Sequence, residues 1–386
     1  MKTTRLVTVN DAPGLWGAEN YLLRLAPFIA DAGYDQLLAA PPCELADAWV
    51  EAGYEWIALP MANSRALGTG VSRRILELSK QVVPVVHRGR LIAQIIRDRS
   101  AQLVQGNSFW TLPDAALAGR IARVPCILHL HGNEGGMARL TKSVSVLASS
   151  RSIAVSDAVA RSLLPIARRR TQTIVNGVDT SVFYPAPPAP GVRALLAHDE
   201  AGVVALVACR LDRAKQLEHV IHAVKRVRDR GINLQLAVVG ATTETSSYED
   251  FLRDLGESVL GEAVRFLGRR SDVESLLRAA DIYVLAGSVE GLPLGIIEAQ
   301  ASGCAVVAYP ASGIPEVVVH GITGLLAIQN DWVSLSEKLF ALASNPQFRS
   351  EVSRRALESV HLRTLERQAA AYLELLETVL SLCVLD

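Results

Sequence analysis

Short apolar runs alternate with stretches of helical periodicity along most of the 386-residue chain. The first run, residues 4–10 (TRLVTVN), predicts a strand. The segment YLLRLAPFIADAGY that follows predicts an amphipathic helix ending at Gly33. Further strands of the first half are predicted at 36–40, 56–59, 102–105, 126–132 and 152–156. Strands that alternate with helices indicate a parallel sheet covered by helices.

A proline-rich segment, residues 184–191 (YPAPPAPG), divides the pattern in two. Beyond it, strands are predicted at 203–209, 234–240, 263–268, 282–287, 304–310 and 323–328. The tail from about residue 345 to 386 has a helical pattern only. The sequence therefore predicts two α/β domains, 1–183 and 192–360, with a C-terminal helix at 361–386.

Composition adds a charge asymmetry to this picture. Half of the residues are hydrophobic, so large cores can form and general disorder is excluded. The formal net charge is zero, but residues 1–185 carry 20 Lys and Arg against 14 Asp and Glu, so the remainder is acidic. A basic half beside an acidic half indicates that the first half meets an anionic partner.

The cysteines and the apolar runs bear on compartment. The five cysteines are scattered and form no C-x-x-C pair, which argues against a disulfide framework or a zinc site and fits a reducing cytoplasm. The N-terminal MKTTRLVTVNDAPG lacks the apolar core of a signal peptide. No uncharged apolar run reaches about 18 residues, so we expect no spanning helix and at most peripheral membrane contact.

Two carboxylates mark the segment 288–304, SVEGLPLGIIEAQASGC. Glu290 is predicted in the loop after a strand, and Glu298 in a buried helix over 293–302. The start of such a helix offers free backbone N–H groups to a phosphate or a sugar hydroxyl. The alternative is a capping role for Glu290 and solvation of Glu298, although the apolar neighbours of Glu298 disfavour its solvation.

Two cations stand at another predicted strand–loop–helix junction, CRLDRAKQLEHVI. Arg210 ends a strand, and Lys215 is predicted to begin the next helix. Such a pair can clamp a diphosphate. The alternative is two unrelated surface charges.

These segments together resemble the retaining, family-4-type glycosyltransferases (glycosyl transferases group 1) of the GT-B fold. EGLPLGIIEAQASG resembles the family's E-x7-E segment, and ACRLDRAKQLEHVI resembles its Arg-x4-Lys phosphate site. In the first half, WGAEN, LHLHG, IAVSDAVARSL and IVNGVDTSVF match in the right order. The resemblance covers about residues 4–340 and implies two Rossmann-like domains with an interdomain cleft. It also implies that the C-terminal helix, 361–386, crosses back to join the first domain.

The resemblance implies a role for each donor-site residue of the second domain, which would bind the nucleotide sugar. Glu298 would hold the ribose hydroxyls, and Glu290 would face the donor sugar. Arg210 and Lys215 would neutralise the leaving diphosphate. The nucleobase would rest near Gly268, Arg269 and Arg270. Sugar hydroxyls and phosphate would meet the backbone of the stretch Gly291, Leu292, Pro293 and Leu294. Pro293 belongs to this stretch but has no N–H to donate.

Neither a metal nor another cofactor is expected. The sequence contains no Asp-x-Asp. Asp272-Val-Glu274 is predicted instead to start a helix, as a cap and a first-turn charge. The resemblance implies that Arg, Lys and helix ends handle the leaving-group charge.

The first domain would bind the acceptor. Trp16 stands where the family usually has the first of two glycines, and it would shape the acceptor side together with Glu19. Gly17 still permits close approach of a phosphate to the backbone. A simple first-turn charge is the alternative for Glu19. His131 shares one strand face with His129, and its counterpart in the family lies beside the donor sugar.

The segment 71–100 mixes basic and apolar residues and resembles a basic amphipathic stretch that can rest on anionic lipid. A solvated helix face is the alternative. Nucleic-acid binding is disfavoured because aromatic residues do not interleave with the basic ones. The basic residues are Arg73, Arg74, Lys80, Arg88, Arg90, Arg97 and Arg99.

The function implied is metal-independent transfer of a sugar from a nucleotide sugar to a carbohydrate, lipid-linked or small-molecule acceptor, with retention. A UDP-sugar is preferred and GDP-mannose comes next, in the cytoplasm or at the inner face of the cytoplasmic membrane. One rival is an inverting transferase or a nucleotide-sugar hydrolase, with Asp11, Glu19 or His131 as the base. Another is a non-catalytic subunit that binds a sugar nucleotide and regulates a partner.

Overall fold

A computed structural model of the chain describes residues 4–12, 14–61, 71–133, 135–242 and 247–382, with the side chains of 71–81 and 382 left out. Its strands are β1 (Thr4–Val9), β2 (Tyr34–Ala40), β3 (Glu55–Ala58), β4 (Leu103–Gly106), β5 (Cys126–Leu130), β6 (Arg151–Ala154), β7 (Thr171–Thr173), β8 (Val203–Ala208), β9 (Leu234–Val239), β10 (Val264–Phe266), β11 (Ile282–Leu285), β12 (Ala305–Ala308) and β13 (Leu325–Leu326).

Helices separate almost all of these strands. They are α1 (Gly17–Asp31), α2 (Glu44–Glu51), α3 (Val71–Asp98), α4 (Leu112–Ala122), α5 (Gly136–Ala148), α6 (Asp157–Arg161), α7 (Pro165–Arg168), α8 (Val192–Leu196), α9 (Leu217–Asp229), α10 (Ser247–Leu260), α11 (Val273–Ala279), α12 (Leu294–Ala301), α13 (Ile314–Val317), α14 (Trp332–Ala343), α15 (Pro346–Ser359) and α16 (Leu365–Leu382).

The chain divides into two compact units. Unit 1 comprises Met1–Asn176 and Leu365–Asp386, and unit 2 comprises Gly177–Thr364. The division falls several residues before the proline-rich segment, so 177–183 groups with unit 2 rather than with the first half. Helix α16 belongs to unit 1, where it packs against α1.

Each unit contains one parallel sheet. In the described residues, the order in unit 1 is β3-β2-β1-β4-β5-β6-β7, and the order in unit 2 is β10-β9-β8-β11-β12-β13. In each sheet the first three strands are added in one direction from the first strand, β1 or β8. The fourth strand, β4 or β11, then pairs with the opposite side of that first strand. This is the doubly wound Rossmann pattern, in which ligands bind at the carboxyl ends of the strands where the order reverses. The reversal points are β1/β4 in unit 1 and β8/β11 in unit 2.

Buried apolar strands and the apolar faces of the helices make the two cores. In unit 1, Tyr21 and Leu25 of α1 pack with Trp49 of α2 and Tyr372 of α16 over Leu103 of β4. The core of unit 2 is built from β8, β9, β11 and β12 with α9, α10 and α14. Because both faces of these central strands are covered, the strands read as continuous apolar runs.

The predicted strands all exist, each with one or both ends shifted by one or two residues. β7 (TQT) is absent from the prediction because it is a three-residue polar edge strand without alternation. None of the described helices is long and apolar enough to cross a membrane.

Candidate active site

The loops that follow β8 and β11 meet at the carboxyl edge of the unit 2 sheet. These two strands are neighbours, and the strand order reverses between them. The loop after β8 contains Arg210 and Lys215, and the loop after β11 contains Glu290. The topology thus brings together three charged residues that lie up to 80 positions apart in the chain.

The loop after β8 ends in a tight turn rather than directly in a helix. Asp212 caps a 3-10 turn over Arg213–Lys215 and accepts a hydrogen bond from the Ala214 N–H at 3.1 Å. Gln216 then adopts a left-handed φ of 47°, and α9 begins at Leu217. The prediction that Lys215 begins a helix is therefore wrong, because the chain reverses at Gln216 first.

Lys215 and Glu290 form an ion pair of 2.7 Å between Nζ and Oε1. Their side chains are 16% and 7% exposed, so solvent screens the pair weakly. Burial alone would lower the pKa of Lys215, but the Glu290 carboxylate, with Cys209 and Asp212, outweighs it and the pKa is raised. Lys215 is therefore a fixed cation at neutral pH.

Arg210 occupies a more open position in the same loop. Its guanidinium lies 2.9 Å from the Asp212 carboxylate, and its side chain is 43% exposed. An exposed pair of this kind contributes little to stability.

Backbone contacts hold the two loops at a fixed separation. The Ser288 N–H donates to the Ala214 carbonyl at 2.8 Å, and the Ser288 hydroxyl donates to the same oxygen at 3.1 Å. A Cβ on Gly287 would collide with the Glu290 carboxylate, so a residue without a side chain is needed at this position. These contacts preorganise the Lys215–Glu290 pair, which is the condition for efficient electrostatic stabilisation.

Helix α12 starts next to this pair and points its amino end toward the same edge. Pro293 precedes it without a side-chain cap, and Gly291 accepts a hydrogen bond from the Gly313 N–H at 3.0 Å. Leu292 and Leu294 are buried, which fixes the turn. Glu290 pairs with Lys215, so its alternative interpretation as a helix cap is wrong.

Glu298 lies inside α12 and is 8% exposed, so solvation does not explain it. It lies near Tyr283, a buried residue of β11 whose hydroxyl donates to the Ala208 carbonyl at 3.0 Å. Burial, and then the negative groups around it, including Glu298 and Glu290, raise the pKa of Tyr283. Tyr283 also occupies the space that a Cβ on Gly295 would need.

The ends of β9 and β10 complete this edge. Gly240 has a φ of 139°, and a Cβ there would collide with the Cys209 carbonyl. Its N–H donates to the Gly268 carbonyl at 2.8 Å, and Gly268 has a left-handed φ of 65°. Arg269, which follows Gly268, is exposed. Two close backbone approaches thus bring the predicted base-binding stretch beside the end of β8.

Asp272 takes the N-cap position of α11 and Glu274 lies in its first turn, as predicted, but the Asp272 side chain makes no capping hydrogen bond. It precedes Val273 at the helix start, but its carboxylate pairs with Arg270 through contacts of 2.8 and 2.7 Å. The hydrogen bond from Arg270 lowers the pKa of Asp272. Arginine outcompetes the backbone N–H because it offers two charged donors.

The carboxyl edge of the unit 1 sheet carries a different set of residues. Trp16 is half-buried, and Gly17 opens α1 with free space around its Cα. Glu19 is 2% exposed and accepts a hydrogen bond from the Trp16 N–H at 3.2 Å. Burial raises the pKa of Glu19, and hydrogen bonds partly oppose this. Glu19 is thus an acid of the first turn of α1, as its alternative interpretation has it, but a buried one that accepts a hydrogen bond from the residue before the helix.

His131 follows β5 directly and joins a hydrogen-bond chain. Its Nε2 lies 2.9 Å from Oδ1 of Asn107, whose amide nitrogen contacts Asn10 and the Ala18 carbonyl at 3.3 and 3.1 Å. His129 and His131 share a face as predicted, with ring centroids 6.1 Å apart. Burial lowers the pKa of His131 to about 4.

Asp11 and Ser108 lie at the same edge, one after β1 and the other after β4. The Ser108 hydroxyl donates to the Asp11 carboxylate, and Asp11 is 7% exposed. The candidate bases Asp11, Glu19 and His131 thus all engage in hydrogen bonds within unit 1.

The basic segment 71–100 is helical, but its charges do not share one solvated face. Arg88 is buried and forms an ion pair of 2.7 Å with the buried Asp114 of α4. Arg99 pairs with Glu55, and Arg97 donates to the Ile121 carbonyl at 2.8 Å. The assignment of Arg88 to a lipid-facing surface is wrong because it is needed inside unit 1. Arg73, Arg74 and Lys80 lie outside the described side chains.

Among the described residues, no group of three or more His, Cys, Asp or Glu side chains is arranged to hold a metal ion. Metal independence stays a prediction.

Comparison with known proteins identifies the class. The model of glycosyl transferases group 1 matches residues 192–359, and that of glycosyltransferase family 4 matches 16–182. A Corynebacterium glutamicum GDP-mannose-dependent monoacylated alpha-(1-6)-phosphatidylinositol monomannoside mannosyltransferase is 30% identical over 69% of this chain and 73% of its own length. The chain belongs to the group 1, family-4-type glycosyltransferases.

Two further relatives extend the comparison. The Mycobacterium tuberculosis alpha-maltose-1-phosphate synthase is 30% identical over 59% of this chain. The matched region spans 64% of that relative's length. Anabaena HepE, solved with UDP-glucose, superposes with a TM-score of 0.79 at 20% identity, covering 97% of this chain and 99% of its own. The fold is GT-B, with two Rossmann-like units.

Several residues at these two edges are not predicted from the sequence. Tyr283 reads as an ordinary strand residue, and Ser288 as a loop residue. Asn10 ends one predicted strand and Asn107 comes two residues after another, and a polar residue near the end of two strands was a signal that could have been used. The remaining contacts depend on long-range register, which no local pattern encodes.

Proposed function

We propose that this chain is a retaining, metal-independent glycosyltransferase that moves a sugar from a nucleotide sugar to an acceptor hydroxyl. The observation that carries the proposal is the buried Lys215–Glu290 pair at the β8/β11 edge, 2.7 Å apart and held by Ser288. A fixed cation beside a fixed carboxylate, at the amino end of α12, suits a diphosphate and its attached sugar at once.

The donor half of the proposal assigns a task to each charge. Lys215 and Arg210 stabilise the diphosphate as negative charge develops on it, and the N–H groups at the start of α12 add further donors. Glu290 accepts hydrogen bonds from the sugar, and Glu298 from the ribose hydroxyls. Gly268 and Arg269 take the base. Only groups that strengthen their contact in the transition state raise turnover.

The reaction proposed is substitution on one face of the sugar through an oxocarbenium-like transition state. The bond between the anomeric carbon and the phosphate oxygen breaks while the acceptor oxygen forms its bond to the same carbon. The departing phosphate oxygen takes the proton of the acceptor hydroxyl. Charge on the leaving diphosphate is the main quantity to stabilise, and side chains at this edge supply the cations.

The proposal also names the nucleobase and the sugar of the donor. A UDP-sugar is the first choice, supported by the fold likeness to HepE, which was solved with UDP-glucose. GDP-mannose is second, supported by the GDP-mannose-dependent relative. The acceptor is a carbohydrate, a lipid-linked sugar or a small molecule, and the site of action is the cytoplasm or the inner face of its membrane, with 71–100 as the proposed contact.

An inverting enzyme or a hydrolase on the same fold needs a base in unit 1. Burial lowers the pKa of His131 to about 4, so its imidazole is a weak base at neutral pH. Asp11 is engaged by the Ser108 hydroxyl. A non-catalytic role is disfavoured because Glu290, Glu298, Arg210 and Lys215 are all present, whereas sites that have lost catalysis usually lose such charges.

The test is a turnover assay with a panel of UDP- and GDP-sugars and hydroxyl acceptors, followed by NMR assignment of the product's anomeric configuration. We expect one donor to be consumed and the anomeric configuration to be retained. An inverted product would contradict retention. Release of free sugar with every acceptor would indicate a hydrolase, and donor binding without any turnover would indicate the regulatory subunit.

A further inference from the structure

The hydrogen-bond chain that includes His131 determines which ring nitrogen carries its proton. The Asn107 amide nitrogen lies 3.1 Å from the Ala18 carbonyl, which can only accept. This contact fixes the orientation of the amide group, so the side of Asn107 that faces His131 is its oxygen. Asn107 is fully buried, and solvent cannot supply a substitute partner.

Because the Asn107 oxygen can only accept, the atom 2.9 Å away must donate. That atom is Nε2 of His131, which therefore carries a hydrogen. Burial keeps the ring neutral at physiological pH. A neutral imidazole with a protonated Nε2 leaves Nδ1 as an acceptor.

The chain continues away from His131 in the same direction. The Asn107 amide also donates to Oδ1 of Asn10 at 3.3 Å. The Asn107 amide thus connects the ends of β1, β4 and β5 with the start of α1, and reversing it would set its oxygen against the Ala18 carbonyl.

We propose that Asn107 is a positioning residue that holds His131 in its Nε2–H tautomer, so that Nδ1 accepts a hydrogen bond from a hydroxyl of the sugar substrate. The inference rests on the proposed function for the existence of a sugar substrate. The tautomer itself follows from contacts within unit 1 alone.

The chemistry of Nδ1 defines what His131 recognises. An acceptor nitrogen can pair with a sugar O–H, whereas phosphate and carboxylate oxygens, which also only accept, gain nothing from it. His131 therefore discriminates sugars by a hydroxyl and leaves the diphosphate to Lys215 and Arg210. A site built on such a contact rejects an analogue that lacks the hydroxyl more strongly than apolar packing would.

The neighbouring pair, His129 and Gln105, offers a matched control. His129 Nε2 lies 3.1 Å from Oε1 of Gln105, on the same two strands. His129 is 2% exposed, and Gln105 also contacts Thr8 and Tyr372 in the interior. Loss of the Gln105 amide removes the same kind of acceptor from a buried imidazole without touching the His131 contact.

The first test is ¹⁵N NMR of the imidazole nitrogens of the full-length chain near neutral pH, with His131→Gln used for assignment. We expect the His131 spectrum of a protonated Nε2 and an unprotonated Nδ1. A proton on Nδ1, or an imidazolium, would overturn the proposal. This result requires no turnover, so it stands or falls separately from the proposed function.

The second test compares Asn107→Leu with Gln105→Leu. Asn107→Leu should lower kcat/KM for the nucleotide sugar roughly three- to tenfold, as expected for one weakened hydrogen bond, and leave the Kd of the free nucleoside diphosphate unchanged. Gln105→Leu should lower the unfolding temperature without changing either constant. An equal loss of diphosphate affinity in Asn107→Leu would overturn the proposal, because it would mean that His131 serves the phosphate. Absence of turnover in the unmodified chain would overturn the proposed function alone.

Discussion

The carboxyl edges of the two sheets share a strand order but differ in chemistry. At the unit 2 edge, a buried cation and carboxylate, Lys215 and Glu290, are paired at 2.7 Å beside an uncapped helix start. At the unit 1 edge, the contact between His131 and Asn107 is of similar length, 2.9 Å, but both groups are neutral. The same topology thus carries a charged pair at one edge and a neutral pair at the other.

This difference explains why the sequence made one edge easier to identify than the other. Charged residues that stay buried must be paired, so Glu290 and Lys215 stand out against the apolar segments around them. Asn107, a buried amide, gives no such signal in the sequence, and His131 is singled out only because its segment resembles that of the family. The comparison predicts that substitutions at the unit 2 edge have large effects, and those at the unit 1 edge have moderate ones.

The largest effect is expected for Lys215→Ala. It removes a cation that faces the developing diphosphate charge and leaves Glu290 buried without its partner. We expect kcat to fall by about 10²- to 10³-fold, as for the loss of an oxyanion donor. Steady-state rates with the donor test this, with Lys225→Ala as the control, because Lys225 forms only an exposed pair with Asp229. Arg210→Ala should also lower kcat sharply. Unchanged rates in both Lys215→Ala and Arg210→Ala would remove the diphosphate assignment.

A substitution at Gly240 tests whether the unit 2 edge needs the close approach of Gly240 to the Cys209 carbonyl. Gly240→Ala places a methyl group against the Cys209 carbonyl, and the residue keeps a φ of 139°. The strained φ alone costs about 1–3 kcal/mol, and the collision adds to it. Gly231→Ala is the matched control, since its φ is also positive, at 84°, but its Cβ would meet no atom within 4 Å. Urea unfolding of both variants measures the difference, and equal losses would show that the approach to Cys209 is unimportant.

The two glutamates should separate into distinct roles. Glu298→Gln should weaken binding of the free nucleoside diphosphate, because the ribose contact loses its charge. Glu290→Gln should leave that binding nearly intact and lower turnover, because the free diphosphate has no sugar for it to contact. Calorimetry with the diphosphate and initial rates with the donor test both. If Glu290→Gln weakens diphosphate binding as much as Glu298→Gln, the pair with Lys215 is better described as one structural unit.

The smallest effect is expected from removal of metal ions. The sequence has no Asp-x-Asp, and fixed cations are assigned to the diphosphate instead. Activity should persist in excess EDTA. Loss of activity on chelation, restored by magnesium or manganese, would refute metal independence. It would also mean that a metal ion, and not Lys215, neutralises the leaving diphosphate.

The sequence predicted elements and charged residues better than it predicted contacts. The buried strands of both sheets followed from their apolar runs, because a strand covered on both faces has no other composition available. The polar edge strand β7 gave no such signal. Arg88 was misassigned because its partner, Asp114, lies on another helix and meets it only in the folded unit. The His131 tautomer depends on Asn107 and Ala18, which lie on different elements and meet only in the folded unit.

The central claim is that the unit 2 edge binds a nucleoside diphosphate through Lys215. Thermal unfolding of the chain with UDP, GDP or ADP, and of Lys215→Ala with the same ligands, tests this most directly. A ligand at 100 times its Kd that binds only the folded chain should stabilise it by about 2.7 kcal/mol. We predict this stabilisation for one nucleotide, UDP first, and a marked loss of it in Lys215→Ala. Stabilisation of Lys215→Ala equal to that of the unmodified chain, or of neither protein by any nucleotide, would contradict the claim.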